Sequence, residues 1–275
     1  MSAPDGHEAA DVRTAELAEG LGAVRARIRA ACAACGRDPQ EVTLVVVTKF
    51  FPAQDVARLA RLGVRDIGEN RDQEASAKVA EVRELAAGDR SDEAGGSGKG
   101  GSAGQSGEVG EVPTVHFIGQ IQTNKAGSVA RYADVVHSVD REKLARSLQR
   151  GAHAADRTIE VLLQVNLDPE PADSAGGGTA SRGGVAPADL AALAATVADC
   201  PALRLRGLMG VAPLGGDPTQ AFERLAQLSA QLRRTYPDAD VVSAGMSGDL
   251  EAAIAAGATH LRVGSAILGS RPPHG

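Results

Sequence analysis

The strongest constraint on this chain of 275 residues is a repeated alternation. Short, almost unbroken apolar runs take turns with longer stretches of helical spacing. The runs are "VTLVVVT" (42–48), "VRDIGE" (64–69), "TVHFIG" (114–119), "DVVHSVD" (134–140), "IEVLLQVNL" (159–167), "LRLRGLMG" (203–210), "ADVVSAG" (239–245) and "HLRVGS" (260–265). Such continuous apolar character is what parallel strands buried on both faces require. Helical patterns over 53–63, 71–86, 122–131, 141–150, 187–198, 218–234 and 247–256 link or follow the runs, and one over 8–34 precedes them. Eight such units predict an α/β fold, a single (β/α)8 TIM barrel spanning 1–275 as one domain. An open doubly wound sheet competes, but no G-x-G-x-x-G follows the first strand. Asp140 is expected to cap the helix over 141–150.

Two Gly/Ser-rich stretches, 87–112 and 168–186, interrupt the pattern. They are too polar to order themselves by burial and are predicted to be flexible insertions. The first joins a helix to a strand, which places it at the bottom of a barrel as a spacer. The second follows a strand, which places it at the top, where barrels build their sites, as a lid.

Composition removes several function classes. Aromatic residues make up 2% of the chain, there is no Trp, and the net charge is -6. The core must therefore be aliphatic, and a nucleic-acid surface is not expected. No run reaches the roughly 18 apolar residues of a membrane span, and the acidic start "MSAPDGHEAAD" is no secretory signal, so a cytoplasmic protein is expected. Three cysteines give no even disulfide set. Cys32 and Cys35 form a lone C-x-x-C, read as two small residues on an Ala-rich helix. No HxH, HExxH or clustered His/Cys pattern appears, and no metal is expected.

In a barrel, chemistry sits at the C-terminal ends of the strands. Those ends hold Lys49, Glu69 with Asn70, His116 to Gly119, Asp140, Asn166, Met209, Gly245 to Ser247, and Gly264 with Ser265. "SAGMSGDLEAA" and "RVGSAILG" make two glycine- and serine-containing turns after strands seven and eight. Backbone N–H groups at such turns suit a phosphate. Ser247 is expected to cap the helix that follows, with Asp249 at its positive end. Lys49 ends the first strand, pointing into the mouth, where desolvation would make its amine nucleophilic. A Schiff-base lysine facing a phosphate cradle meets the minimum for pyridoxal 5'-phosphate (PLP), or for an aldolase acting on a sugar phosphate. Arg262 shares a strand face with Gly264 and could reach a pyridine nitrogen. The alternative for Arg262 is a barrel-interior ion pair with a carboxylate. His116 reads as a satisfied core histidine.

The blocks "VVVTKFFP", "IGENRDQE", "HFIGQIQTNK", "SVDREKLA", "LLQVNL", "LRGLMGVAP" and "SAGMSGDLEAAIAAGATHLRVGSAILGSR" occur in order. In this the chain resembles the pyridoxal phosphate homeostasis protein family, which is itself similar to the N-terminal barrel of alanine racemase. The resemblance implies an internal aldimine between PLP and Lys49, with Asn70 near the cofactor. It implies a phosphate held by Ser247, Gly264 and Ser265, and Arg262 beside the pyridine nitrogen. Where that family usually has "K-S-G" after strand five, this chain has "SRGG", with Arg182. Ser265 stands in place of the commoner Thr.

Alanine racemase adds a second domain that supplies an opposing tyrosine base. Here the chain ends at Gly275, and its two tyrosines, Tyr132 and Tyr236, fall in helical segments. The expectation is a monomeric PLP-binding protein in vitamin B6 and amino-acid homeostasis, without catalytic residues or robust turnover. Its partners would be PLP and PLP-requiring apo-enzymes. A PLP-dependent amino-acid racemase and a cofactor-free Schiff-base aldolase are the alternatives.

Overall fold

The structure is a computed structural model that describes residues 6–94, 112–168 and 183–270. Eight parallel strands close into a barrel in sequence order. They are β1 (Thr43–Val47), β2 (Asp66–Glu69), β3 (Thr114–Phe117), β4 (Val135–Val139), β5 (Ile159–Gln164), β6 (Leu203–Met209), β7 (Val241–Ser243) and β8 (His260–Val263). Their Val, Ile and Leu content suits pleated strands covered on both sides. Closure comes from β1 pairing with β8, with Thr43 opposite His260 and Val45 opposite Arg262. The register shifts between β4 and β5 and again between β5 and β6.

The outer ring is α2 (Ala53–Arg61), α3 (Asp72–Ala94), α4 (Ala126–Tyr132), α5 (Glu142–Ala154), α6 (Leu190–Ala198), α7 (Pro218–Thr235) and α8 (Leu250–Ala255). Helix α1 (Gly6–Cys35) precedes the barrel, and a one-turn helix α9 (Ser265–Leu268) follows β8. The main core lies between strands and helices and includes Val46, Val56, Ile67, Val136, Leu148, Leu208, Leu261 and Val263. A small second cluster of Leu162, Met209 and Val241 lies inside the barrel. The aliphatic core expected from the composition is what forms. Cys32 is buried and Cys35 exposed, both free thiols in the last turn of α1.

Several elements differ from the sequence reading. Helix α3 runs on through residue 94, into the predicted insertion, because "AAGDRSDEA" is rich in helix formers despite its glycine. Residues 95–111 of that insertion and 169–182 of the second, including Arg182, lie outside the described residues. The tail of the second insertion is tied down: Val185 bridges to Val165, and its N–H donates to the Gln164 carbonyl. Asp140 does not cap α5. The cap position is Arg141, without a side-chain bond to the helix, because the Asp140 carboxylate instead accepts from the Arg141 guanidinium. Helix α9 was not foreseen, since four residues are too few to show periodicity.

Candidate functional site

The mouth of the barrel divides into two regions, one at the ends of β1 to β3 and one at the ends of β7 and β8. At the first, Val45 and Val47 face the barrel interior, where Gly68 would meet both side chains if it carried a Cβ. Lys49 stands two residues past the end of β1, inside the turn closed by the Phe51 N–H on the Thr48 carbonyl. Lys49 is half-buried. The next residue, Phe50, has φ 71°, a left-handed conformation that costs a non-glycine residue and that clusters at functional sites.

A buried charge cluster holds this turn. The Lys78 ammonium donates to the Thr48 carbonyl at 2.8 Å, to Glu69 Oε1 at 2.8 Å and to Glu74 Oε1 at 3.1 Å. The Thr48 hydroxyl also donates to Glu69 Oε1, and the Phe50 N–H donates to Glu74 Oε1. The peptide groups on either side of Lys49 are thus bound from behind. Glu69 is fully buried and its Oε2 has no partner among the described residues. Burial pushes its pKa up, against the opposing pull of Lys78. The Phe50 ring lies under the Arg71 guanidinium at 5.0 Å and the Lys49 ammonium at 5.9 Å, within cation–π reach.

Asn70 follows β2, and its carbonyl and side-chain oxygens press on Gly119, where any Cβ would stand 2.2 Å from the carbonyl oxygen. That close approach seats Asn70 against the end of β3. It also lines a cleft of about 500 Å³ with Asp72, Glu74, Gln120 and Lys125.

At the second region, β7 leads through Gly245 and Met246 into the Ser247–Gly248 turn. Ser247 does not cap α8; the cap position is Asp249. Its carboxylate turns back to accept from the Met246 N–H at 2.6 Å. The N–H groups of Ser247 and Gly248 therefore keep no acceptor among the described residues. Gly264 and Ser265 open helix α9, and the Gly264 carbonyl accepts from the N–H groups of Ile267 and Leu268. The turns after β7 and β8 thus open helices α8 and α9 at the same end of the barrel.

Helix α1 braces this region. Arg27 donates to the Ser247 carbonyl at 3.1 Å while it pairs with Glu251 at 2.8 Å. Arg13 donates to the Leu268 carbonyl at 3.1 Å. Gly20 lets α1 approach α9 so closely that a Cβ there would lie 2.7 Å from the Ile267 carbonyl oxygen.

Arg262 is 5% exposed on β8. It donates to the Ser243 hydroxyl at 2.5 Å and to the Gly210 carbonyl at 2.9 Å. Among the described residues no carboxylate lies within ion-pair distance of it, so the interior ion pair weighed as an alternative is not there. Burial lowers its pKa to about 10. His116 is buried with both ring nitrogens engaged, by Asp66 and by His137. Tyr132 is the last residue of α4, and Tyr236 follows the end of α7, so neither stands at the end of a strand.

Lys78, Glu74, His137 and Ser243 were not singled out from the sequence. The spacing of Glu74 and Lys78 on one helix face was a usable signal. Nothing in the sequence joins His137 to Ser243, because only closure of the barrel does so.

The alanine racemase N-terminal domain model matches residues 20–272. A pyridoxal phosphate homeostasis protein of Mycobacterium bovis is 42% identical over 268 residues, covering 94% of each chain. This chain belongs to the pyridoxal phosphate homeostasis protein family. Two solved structures are similar to it in fold and, more distantly, in sequence. One is an unknown protein from Bifidobacterium adolescentis, at 32% identity and TM-score 0.77, covering 94% of this chain and 96% of that one. The other is PipY of Synechococcus elongatus PCC7942 in a structure with PLP bound, at 31% identity and TM-score 0.70, covering 92% of this chain and all of that one. No helix among the described residues is long and apolar enough to cross a membrane.

Proposed function

We propose that this chain binds PLP in the mouth of its barrel, bonded covalently through Lys49, and that it serves PLP homeostasis without robust turnover. Bound PLP supplies an aldehyde for an amine to capture, a phosphate to be held and a pyridine ring whose electronics depend on its nitrogen's partner. The residues present fit those three demands. Lys49 is the amine, held at a strained turn by buried groups rather than left to roam the surface. The Ser247 and Gly248 N–H groups, with the Gly264–Ser265 turn, suit the phosphate. Asn70, just past the end of β2, is on this reading near the cofactor. The name carried by the relatives and the PLP in the PipY structure support the same reading.

The observation that carries it is Arg262. A guanidinium this deeply buried, bonded to one hydroxyl and one carbonyl and to no carboxylate, suits a further neutral acceptor such as a pyridine nitrogen. A cation there disfavours protonation of that nitrogen and makes the ring a weaker electron sink, which suits holding the cofactor more than using it. Neither tyrosine stands at a strand end, so among the described residues neither offers the opposing tyrosine base of a racemase. On this reading the partners are PLP itself and the apo-enzymes that require it.

The purified protein should be yellow, and borohydride should fix a PLP adduct on Lys49. Lys49→Ala should abolish both. A colourless wild-type protein that yields no adduct after incubation with PLP overturns the proposal. Racemisation of amino acids at ordinary enzyme rates would leave the cofactor in place and overturn the carrier role.

A further inference from the structure

We propose that Ser243, His137 and His116 are positioning residues for Arg262, linked in a one-directional hydrogen-bond chain that ends on Asp66. The role rests on the reading above, in which Arg262 meets the ring of PLP. The chain crosses the barrel interior from β8 through β7, β4 and β3 to the first residue of β2. Arg262 Nη1 donates to Ser243 Oγ at 2.5 Å, and Ser243 Oγ lies 3.0 Å from His137 Nδ1. His137 Nε2 lies 2.8 Å from His116 Nδ1, and His116 Nε2 lies 2.9 Å from Asp66 Oδ1. Ser243, His137 and His116 are each at most 2% exposed.

Its direction follows from its two ends. Arginine can only donate and a carboxylate can only accept. The Ser243 oxygen therefore accepts from Arg262, and its own O–H is available for His137 Nδ1. His137 then carries its proton on Nε2 and gives it to His116 Nδ1. His116 in turn carries its proton on Nε2 and gives it to Asp66. Reversing the direction with neutral rings sets a bare His116 nitrogen against the Asp66 carboxylate, which is repulsive. Keeping a donor there requires a second proton on His116. Burial holds the His137 pKa well below that of free histidine, which suits the neutral form.

The chain does what packing alone does not. It sets the guanidinium by a bond whose acceptor is itself oriented by a fixed tautomer, and it does so without a counter-carboxylate beside the pyridine site. A carboxylate next to Arg262 would offset its charge. Here Asp249 acts on the guanidinium only from a distance, and the carboxylate that ends the hydrogen-bond chain, Asp66, is separated from it by two imidazoles and a hydroxyl.

Two measurements test it. Nitrogen-15 NMR of histidine side chains in the full chain without cofactor should find His137 and His116 neutral, each protonated at Nε2. A proton on His137 Nδ1 overturns the chain's direction. In the PLP-loaded protein, Ser243→Ala should keep the Lys49 adduct but move its visible absorption band. It should also release PLP about tenfold faster, as expected for loss of one hydrogen bond to a buried charge. Ser243→Thr, which keeps the hydroxyl, should restore both. An Ala variant with wild-type band and release rate overturns the positioning role, as does a Thr variant that behaves like Ala. A wild-type protein that takes up no PLP sinks the cofactor reading instead, and that outcome is seen before any variant is made.

Discussion

The two regions of the mouth hold their functional groups by opposite means. The Lys49 turn is built on buried charge, with Lys78 bridging Glu69, Glu74 and the Thr48 carbonyl, and it tolerates a left-handed Phe50. The Ser247 and Gly264 turns are built on backbone, and their bracing comes from partly exposed arginines on α1 and from one close helix contact. A covalent partner needs one amine at one place, and a rigid buried cluster supplies that. An anion needs several N–H groups with no acceptor of their own, which a cluster of charged side chains would occupy. The first arrangement should break hard when one member is lost, and the second should loosen by degrees.

The largest effect should come from Lys78→Met. It leaves the fully buried Glu69 carboxylate with only the Thr48 hydroxyl. Breaking one partner of a buried pair costs about 3–5 kcal/mol, to be read as a lower urea midpoint. Adding Glu69→Gln should return much of that loss, because it removes the stranded charge. A Lys78→Met protein as stable as wild type would mean that the cluster holds nothing.

Glu69 also gives that region a pH signature. Its pKa is raised by burial, so the folded chain holds this proton more tightly than the unfolded chain does. Stability contributed by this site is full at low pH and falls as pH rises from the ordinary glutamate value, about 4.3, through the folded value. Urea unfolding of wild type and Glu69→Gln across that range should show the decline in the first and a flatter curve in the second. At the ends of β7 and β8 the sign is opposite: Glu251, held below the usual range chiefly by the Arg27 hydrogen bond, contributes stability that grows as pH rises.

Gly20→Ala tests the close contact. Alanine favours the helix by up to about 1 kcal/mol, but its Cβ would meet the Ile267 carbonyl at 2.7 Å, and a backbone oxygen cannot swing aside. Overpacking of this kind costs about 1–3 kcal/mol. The net should be a loss of about 1 kcal/mol in urea unfolding, with PLP released faster as α9 and Ser265 shift. A gain in stability would show that α1 merely lies near the turn.

The same two regions explain what could be read from the sequence. The barrel was legible because most strand residues are covered on both faces, which leaves short continuous apolar runs such as "LVVV" at 44–47 and "VLL" at 161–163. Lys49, Asn70 and the two turns were legible because they end such runs. Ser247 was assigned the wrong local task, because Asp249 competes for the same helix end and reaches back to the Met246 N–H. The Arg262 chain was hidden because His116, His137, Ser243 and Arg262 sit on four strands and meet only when β1 closes on β8. An isolated buried histidine and one with a tautomer fixed by its neighbours look alike in a sequence.

Arg27→Ala should have the smallest effect on stability and so gives the finest test of the comparison. The Arg27–Glu251 pair is open to solvent on both sides, and pairs of that kind contribute about 0.2–1 kcal/mol. The urea midpoint should hardly move, and less still at high salt, which screens exposed charges. The bond from Arg27 to the Ser247 carbonyl acts on a different quantity. It orients a peptide whose neighbouring N–H groups would face the phosphate, so PLP should leave faster even where unfolding is unchanged. Separation of those two readouts would mean that the phosphate turns are tuned from α1 without being stabilised by it. If Arg27→Ala changed neither, the bracing would reside in Gly20 and Arg13 alone. If it changed both as strongly as Lys78→Met, the contrast between a rigid and a graded side of the mouth would be wrong.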